Sequence, residues 1–221
     1  IVFGDWSSDV CSSDLDIMYF HALFWPAMLI SAGIKTANKL FIHGFLTVNG
    51  QKMSKSKGTF IKASTYLNHL DPMYLRYYYA SKLSAGIEDI DLNLSDFIFK
   101  VNSDLVGKFA NLASRSGSMV TKKLDSMLGK IDNEGRELIN ELLKAKVEII
   151  TDFETLNFAA AVRKITALAD ACNKYVDQKQ PWSTIKDDPE AARFVLTTVL
   201  NTVKILDRKS TRLNSSHRIR T

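Results

Sequence analysis

The chain contains 221 residues, of which 46% are hydrophobic and 24% are charged, and its formal net charge is +5 at pH 7. This composition is typical of a soluble globular protein with one or two domains. The longest apolar stretch, 17–30, contains His21 and Pro26 and is too short to span a bilayer, which excludes a membrane-spanning helix and a membrane partner. Cys11 and Cys172 are too far apart for a disulfide framework or a cysteine metal site, and a reducing cytoplasmic location is expected.

The positive charge is concentrated at the carboxyl end. Residues 208–221 carry five basic and no acidic side chains, whereas residues 1–15 carry three acidic and no basic ones. A basic tail is one signature of nucleic-acid binding. Both ends, however, resemble translated sequencing-adapter sequence, and Ser-Ser-Asp occurs twice in the first fifteen residues. We therefore expect both ends to be non-native flanks and interpret residues 16–207.

The first part of this segment predicts a helix, a strand and a hairpin turn. Residues 16–32 are apolar on most sides, which predicts a buried helix that ends at Gly33. Residues 39–48 are rich in β-branched and aromatic side chains and lead into Asn49-Gly50, the strongest short hairpin signal. A strand, a tight turn and a polar loop are therefore expected in that order.

Helical patterns dominate the rest of the sequence. Ser64 or Thr65 can cap a short helix, and Asp71-Pro72 predicts the start of a helix that reaches about Leu83. From Ser95 onward, four amphipathic patterns with short connections predict an antiparallel bundle. Their approximate ranges are 95–119, 134–153, 157–179 and 189–206, and the domain boundary is expected near 90–95.

Three stripes of side chains follow these helices at spacings of three or four residues. In the first helix an apolar stripe is expected to face the core and a polar stripe to face elsewhere. In the third helix, which Asn157 can cap, the inward face is apolar. The apolar stripe is Ile98, Val101, Leu105, Phe109 and Leu112; the polar stripe is Asp104, Lys108, Asn111 and Arg115; the inward face of the third helix is Ala159, Val162, Ile165 (with Leu168 or Ala169), Cys172 and Val176.

The polar loop at 50–58, GQKMSKSKG, is dense in lysine and serine. Lys52, Lys55 and Lys57 can neutralise a polyphosphate, while serine hydroxyls and turn amides can donate to its oxygens. The P-loop pattern GxxxxGK[ST] does not occur in the sequence, which excludes that class of NTPase. A solvated surface turn would have the same composition, so composition alone leaves both interpretations open.

The segment HGFLTVNGQKMSKSKGTFI resembles the second signature loop of class I aminoacyl-tRNA synthetases. Its continuation YLNHLDPMYLRYYYA and the helix DIMYFHALFWPAML are similar to the methionyl-tRNA synthetase family, and the likeness covers residues 16–207. The resemblance implies a mostly α chain: the C-terminal remnant of an α/β Rossmann-like catalytic domain at 16–94, with its KMSKS loop, followed by a truncated helical anticodon-binding domain at 95–207. The implied reaction joins methionine to tRNA(Met) through methionyl-adenylate, with Mg-ATP as substrate.

The same resemblance implies an ATP site and a methionine site. Lys52 and Lys55 are expected to supply positive charge to the leaving phosphates when the loop closes. Aromatic rings make favourable contacts with a thioether sulfur, although aromatic residues at helical spacing more often form core. The ATP site would comprise His43, Gly44, Leu46, Lys52, Met53, Ser54, Lys55 and Ser56, and the methionine pocket would comprise Ile17, Phe20, His21 and Trp25.

In the helical region the resemblance implies an anticodon site made of Asn111, Arg115 and Trp182. An exposed tryptophan is a platform on which a base can stack, while arginine and asparagine can hydrogen-bond to splayed base edges. The alternative for Asn111 and Arg115 is a solvated helix face. The alternative for Trp182 is a lid on the end of the bundle.

Two parts of the family pattern do not occur in this sequence: the first ATP-binding signature and the inserted domain that often binds zinc. No cluster of histidine and cysteine in the sequence could ligate a metal, and the chain alone is expected to lack aminoacylation activity. The sequence is also compatible with two alternatives: a free-standing helical tRNA-binding module, and another class I synthetase. The sequence does not determine the oligomeric state.

Overall fold

A computed structural model describes residues 18–38, 40, 42–53 and 60–210, without the side chains of 208–210. The chain divides into two compact units, one up to His43 and one from Gly44 onward. The expected amino-terminal flank and all but the first three residues of the carboxyl-terminal one lie outside the described residues. Within the described part of the chain, no helix combines the length and the apolar character needed to cross a membrane.

The first unit contains one helix in its described residues, α1. Its backbone is π-helical over Phe20–Phe24 and α-helical over Trp25–Ser31. Pro26, which has no amide hydrogen to donate to the preceding turn, lies close to the change between the two geometries. The helix stops at Gly33, whose φ is +70°. The amides of Gly33 and of the next residue bond back to helix carbonyls at 3.0 and 2.8 Å, so the predicted stop is confirmed.

The prediction that this helix is buried is wrong. None of the described α1 side chains is buried. Phe20, Trp25 and Met28 are 59%, 61% and 67% exposed. An apolar composition leads to burial only when another element covers the helix, and the described residues of this unit contain no second helix or strand that could do so.

The second unit begins with a three-stranded sheet of order β2-β1-β3. The central strand, β1, pairs antiparallel with β2 and parallel with β3. Asn49 and Gly50 join β1 to β2 with φ values of +50° and +73°, the left-handed pair that a type I′ turn needs, so the predicted hairpin is confirmed. The strands are Leu46–Val48 (β1), Gln51–Lys52 (β2) and Ile90–Leu92 (β3).

The strand expected at 39–48 is shorter than predicted, since β1 begins only at Leu46. The carbonyl of Phe45, just before it, already accepts a hydrogen bond from the Ile90 amide of β3 at 2.7 Å. Strand β3 was not predicted. Its signal is the short alternation Ile90-Asp91-Leu92, in which the two apolar side chains are buried. Three residues in an acidic stretch are too few to establish a strand period from sequence.

Two helices connect the hairpin to β3: α2 (Ala63–Leu67) and α3 (Pro72–Lys82). The Asp71 carboxylate accepts a hydrogen bond from the Met73 amide at 2.8 Å, which confirms the predicted cap of α3. The predicted cap of α2 at Ser64 or Thr65 is wrong, since the helix already begins at residue 63 and no side chain caps it. The two serine and threonine positions therefore lie inside the first turn of α2.

A long helix, α4, follows β3 directly. It is α-helical over Leu94–Lys100, π-helical over Val101–Ala110 and α-helical again over Asn111–Lys123. The side-chain oxygen of Asn93 caps its start by accepting a bond from the Asp96 amide at 2.9 Å. The helix is longer at both ends than the predicted 95–119.

The π-helical segment changes which side chains of α4 face inward. Ile98 of the predicted apolar stripe is 58% exposed, and Asp104 of the predicted polar stripe is only 6% exposed. Leu112 is buried as predicted. The stripes were derived for 3.6 residues per turn, and a π-helical turn takes more residues, so positions on either side of it no longer share one face.

The remaining helices surround the central hydrophobic core. Helix α9 packs against α4, α5, α7 and α8. The predicted helix at 134–153 is divided into two at Ala145, and α8 was not predicted. Asn157 precedes α7 as predicted but makes no capping bond through its side chain. The helices are Asn133–Lys144 (α5), Lys146–Glu154 (α6), Phe158–Lys179 (α7), Pro181–Asp187 (α8) and Pro189–Ser210 (α9).

The core of this bundle confirms the inward face predicted for α7. Ala161, Ala169 and Cys172 are 0% exposed and pack with Leu142 and Val199 from α5 and α9. Burial raises the pKa of the Cys172 thiol to about 11, so this cysteine stays protonated and serves as a small apolar side chain.

Gly135, in the first turn of α5, lies where a side chain has no room. A Cβ atom there would contact the Thr198 hydroxyl and would lie 2.8 Å from the Asp132 carboxylate. We therefore expect Gly135→Ala to lower the free energy of unfolding by about 1–3 kcal/mol, despite the better helix propensity of alanine, because overpacking forces the core to shift. Urea denaturation measures this change.

The matched control is Gly117→Ala in α4, where a Cβ would meet no atom within 4 Å. There the helix propensity of alanine alone should raise the free energy of unfolding by up to about 1 kcal/mol. Equal changes in the two variants would contradict the packing assigned to Gly135.

Candidate functional site

The hairpin presents the first lysine of the predicted phosphate-binding loop. Lys52 lies in β2 directly opposite Thr47 of β1. Its Nζ atom lies 5.5 Å from the centroid of the Phe45 ring, close enough for a cation–π contact. The side chain is exposed. The hairpin therefore holds one cation at the point where the polar loop begins.

Asp91 fixes the hairpin from the neighbouring strand. Its Oδ1 atom accepts hydrogen bonds from the Thr47 hydroxyl and from the Gly50 amide, both at 2.7 Å. Tyr78 of α3 donates its hydroxyl to the Asp91 carbonyl at 3.1 Å. Sequence reasoning missed this residue, because the stretch around it reads as a polar connection. The only available signal was an acid between two apolar residues.

Gly44 stands where the chain passes close to the segment before β3. A Cβ atom at this position would lie 2.5 Å from both the carbonyl carbon and the carbonyl oxygen of Glu88, so any other residue would force the backbone to move. The next amide, of Phe45, donates to the Asp89 carboxylate at 2.7 Å. Together these contacts set the path on which the chain enters β1.

Of the other residues predicted for the ATP site, some lie within the described part of the chain and some lie outside it. Leu46 and Met53 are half-buried and pack against the hydrophobic cluster under the sheet. His43 is exposed at the end of the first unit. The remaining members of the predicted loop, Ser54, Lys55, Ser56 and Lys57, lie outside the described residues.

The residues predicted for a methionine pocket lie on α1, in the first unit. Phe20, His21 and Trp25 are all exposed. The ring of Phe20 contacts that of Phe24 with a centroid distance of 5.4 Å. Ile17 lies outside the described residues. The structure thus describes an exposed aromatic surface at these positions.

The predicted anticodon residues Arg115 and Trp182 come together between α4 and α8. Gln180 adopts a left-handed conformation with φ of +43°, which turns the chain sharply after α7. Pro181 is buried, and Trp182 packs its half-buried ring against the bundle core. The guanidinium carbon of Arg115 lies 5.4 Å from the centroid of that ring. Residues 67 positions apart in the sequence thus form one cation–π pair.

This pair borders an open groove of about 340 Å³. Sequence reasoning missed the two serines that line it, because serines on an exposed helix face have no distinctive pattern. Asn111 is exposed and precedes Arg115 by one helical turn, outside the set that lines the groove. The lining residues are Ser114, Arg115, Ser118, Met119 and Trp182.

Chemically, this groove suits an unstacked nucleic-acid base. An aromatic ring offers a stacking surface, and the guanidinium offers both a stacking plane and hydrogen-bond donors for base edges. The serine hydroxyls can each donate or accept a hydrogen bond. Among the described residues, no group of three or more His, Cys, Asp or Glu side chains is placed to hold a metal ion.

Two family models match the chain. The model for class I tRNA synthetases (M) matches residues 13–117. The model for the anticodon binding domain of methionyl tRNA ligase matches residues 127–213. The first match contains the hairpin, and the second contains Trp182.

Curated relatives agree with both matches. The methionine–tRNA ligase of Bdellovibrio bacteriovorus is 53% identical over 191 residues, which are 86% of this chain and 28% of that protein. The methionine–tRNA ligase of Leptospira biflexa (strain Patoc 1 / Ames) is 50% identical over the same length, with the same coverage. The chain thus spans 28% of the length of these relatives.

Solved structures show the same fold. Mycobacterium tuberculosis methionyl-tRNA synthetase in complex with methionyl-adenylate superposes with a TM-score of 0.80 at 29% identity, over 90% of this chain and 40% of that one. The free form of the same enzyme gives a TM-score of 0.72 at 28% identity, over 90% of this chain and 38% of that one. The chain therefore belongs to the methionyl-tRNA synthetase family of class I aminoacyl-tRNA synthetases.

Proposed function

We propose that the chain is the segment of a methionine–tRNA ligase that carries the KMSKS loop and the anticodon-binding helices. Residues 16–94 would end the catalytic domain, and residues 95–207 would form the anticodon-binding domain. The complete enzyme would join methionine to ATP as methionyl-adenylate and then transfer the methionyl group to tRNA(Met) in the cytoplasm. The names of the curated relatives, and the methionyl-adenylate bound by the M. tuberculosis enzyme, support this proposal.

The contact between Arg115 and Trp182 is the observation that best supports the proposed binding of RNA. A guanidinium held over an indole ring at 5.4 Å, beside an open groove, is a preformed stacking site for a base. Asn111, one turn away, would add a hydrogen-bonding amide for a second base edge. We assign these three residues to reading of the CAU anticodon.

The adenylation step would rely on positioning and charge. Lys52 and Lys55 would place ammonium groups on the phosphates that leave as pyrophosphate, while Met53, Ser54 and Ser56 would complete the loop around them. His43, Gly44 and Leu46 would border the adenosine. Charge stabilisation by groups that are already in place is the largest contribution to many such reactions. Magnesium would arrive with ATP as part of the substrate.

The methionine side chain would lie against α1. Phe20, His21 and Trp25, with Ile17, would present aromatic rings to the thioether sulfur, a contact that stabilises by up to about 1.5 kcal/mol. The aromatic character of these positions and their resemblance to the family pattern support this assignment.

Binding of RNA stem-loops to the purified chain tests the proposal. We expect a stem-loop with the CAU anticodon to bind at least about fivefold more tightly than stem-loops in which one anticodon base is replaced, since a lost base contact costs about 1 kcal/mol or more. A fluorescence-anisotropy titration at fixed salt concentration measures the ratio.

Each alternative predicts a different result in this titration. A helical module without base recognition would bind all the stem-loops equally and with steep salt dependence. Another class I synthetase would prefer a different anticodon. Either outcome would contradict the assignment to methionine.

A further inference from the structure

The ten-residue π-helical segment of α4 ends at the first predicted anticodon residue. The amide of Asn111 donates to the carbonyl of Val106, five residues earlier, which is the hydrogen bond that defines a π-helix. The α-helical part of α4 that carries Arg115 starts at this residue. Segments of π-helix are rare, usually single turns, and frequent at functional sites.

This segment decides which way the anticodon residues face. Seven residues make almost two turns of an α-helix, so an uninterrupted α-helix would place Asn111 on the same face as Asp104. Asp104 is only 6% exposed, whereas Asn111 is exposed and Arg115 reaches Trp182. The wider turns of the π-helix have thus rotated the following residues away from the buried face.

A hydrogen bond from α3 holds the centre of the segment. The Tyr77 hydroxyl donates to Oδ2 of Asp104 at 2.8 Å, and Nζ of Lys100 lies 3.3 Å from the same oxygen. Burial raises the pKa of Tyr77, so its hydroxyl remains a donor. Asp104 is therefore the buried charged group that ties the π-helical backbone to its neighbour.

Helix α7 holds the end of the segment through Lys108. Its Nζ atom lies 2.8 Å from Oδ2 of Asp170, and its backbone carbonyl accepts a hydrogen bond from the Asn173 side-chain amide at 3.3 Å. Backbone pairing changes from π to α at this point, and a side chain of α7 satisfies a carbonyl there.

We propose that Asp104 and Lys108 are positioning residues for anticodon recognition. They hold the π-helical segment against α3 and α7. In this way they fix the direction, around the axis of α4, in which Asn111 and Arg115 face the RNA. This inference rests on the proposed function, since it assigns Asn111 and Arg115 to the anticodon. The proposal extends the anticodon site beyond the residues of the family pattern. Asp104 and Lys108 do not touch the RNA themselves, but they determine whether the site distinguishes one anticodon base from another.

The test compares variants of the full chain by their anticodon discrimination, defined as the ratio of affinities for a CAU stem-loop and for a stem-loop with one base replaced. Asp104→Asn should lower this ratio at least fivefold, and Tyr77→Phe, which changes no charge, should lower it in the same direction. Lys108→Met should also lower it, while Lys108→Arg should preserve it. The matched control is Asp177→Asn, the same substitution at an exposed position of α7, which should leave the ratio unchanged.

Circular dichroism identifies variants that have lost their helices. Should Asp104→Asn unfold the chain, Tyr77→Phe and Lys108→Met decide the question in its place. A folded set of variants with unchanged discrimination would overturn the inference, provided that Arg115→Ala still abolishes discrimination. If Arg115→Ala also leaves the ratio unchanged, the proposed anticodon site itself is wrong, and this inference is overturned with it.

Discussion

Replacing Lys55 by alanine in a full-length enzyme that carries this segment is expected to slow ATP–pyrophosphate exchange at least about a hundredfold. The proposed role places its ammonium on the phosphates that leave the reacting centre. Removing one preorganised donor of this kind typically costs about 3–4 kcal/mol of transition-state stabilisation. Lys55 itself lies outside the described residues, but Asp91 fixes the hairpin that precedes its loop. This hairpin presents Lys52 over the Phe45 ring.

Steady-state exchange of labelled pyrophosphate into ATP measures this effect. A donor that acts mainly in the transition state lowers kcat with little change in KM for ATP. The matched control is Lys62→Ala, an exposed lysine a few residues beyond the loop, which should keep the exchange rate within about twofold. If the loop were only a solvated turn, the two variants would behave alike, and the assignment of Lys55 would be wrong.

The parts of the fold that sequence predicted correctly are those with local causes. Asn49-Gly50 forms the predicted turn because both residues tolerate positive φ. Asp71 caps α3 because its carboxylate needs to reach an amide only two residues away. The inward face of α7 is correct because that helix is regular over its whole length.

The π-helical segment of α4 could not be predicted in this way. Its side chains form contacts with Tyr77 and Asp170, which lie 27 positions before Asp104 and 62 positions after Lys108. With 3.6 residues per turn assumed throughout, Asp104 was placed on the polar stripe, which was expected to face away from the core. Tertiary contacts determined the local geometry here, and a sequence pattern contains no record of them.

The same limit applies to the exposed helix α1 and to the base-binding groove. The composition of α1 shows that it needs a covering element but not whether this chain supplies one. Arg115 and Trp182 were predicted as separate members of a family pattern, and only the fold shows that they contact each other. Likewise, only the fold shows that Ser114 and Ser118 line the same groove as Trp182.

Replacing Trp182 by alanine is expected to weaken binding of a CAU stem-loop by about 5- to 150-fold. Stacking of a base on an aromatic side chain contributes about 1–3 kcal/mol, and the loss of the indole also removes the surface over which Arg115 lies. Trp182→Phe keeps a ring in this position and should retain most of the affinity. Ser183→Ala, at the exposed neighbouring position, is the control for α8.

Because the Trp182 ring also packs against the bundle core, thermal denaturation must accompany the binding measurement. Affinities are then compared at a temperature where each variant is folded.

The salt dependence of binding separates the contribution of stacking from that of charge. Loss of a stacking ring should weaken binding by the same factor at every salt concentration, whereas Arg115→Ala should also reduce the slope of log affinity against log salt if the guanidinium neutralises a phosphate. An unchanged slope with reduced discrimination would place Arg115 on a base edge. If Trp182→Ala bound the CAU stem-loop as tightly as the parent chain does, the assignment of Trp182 to the anticodon site would be wrong.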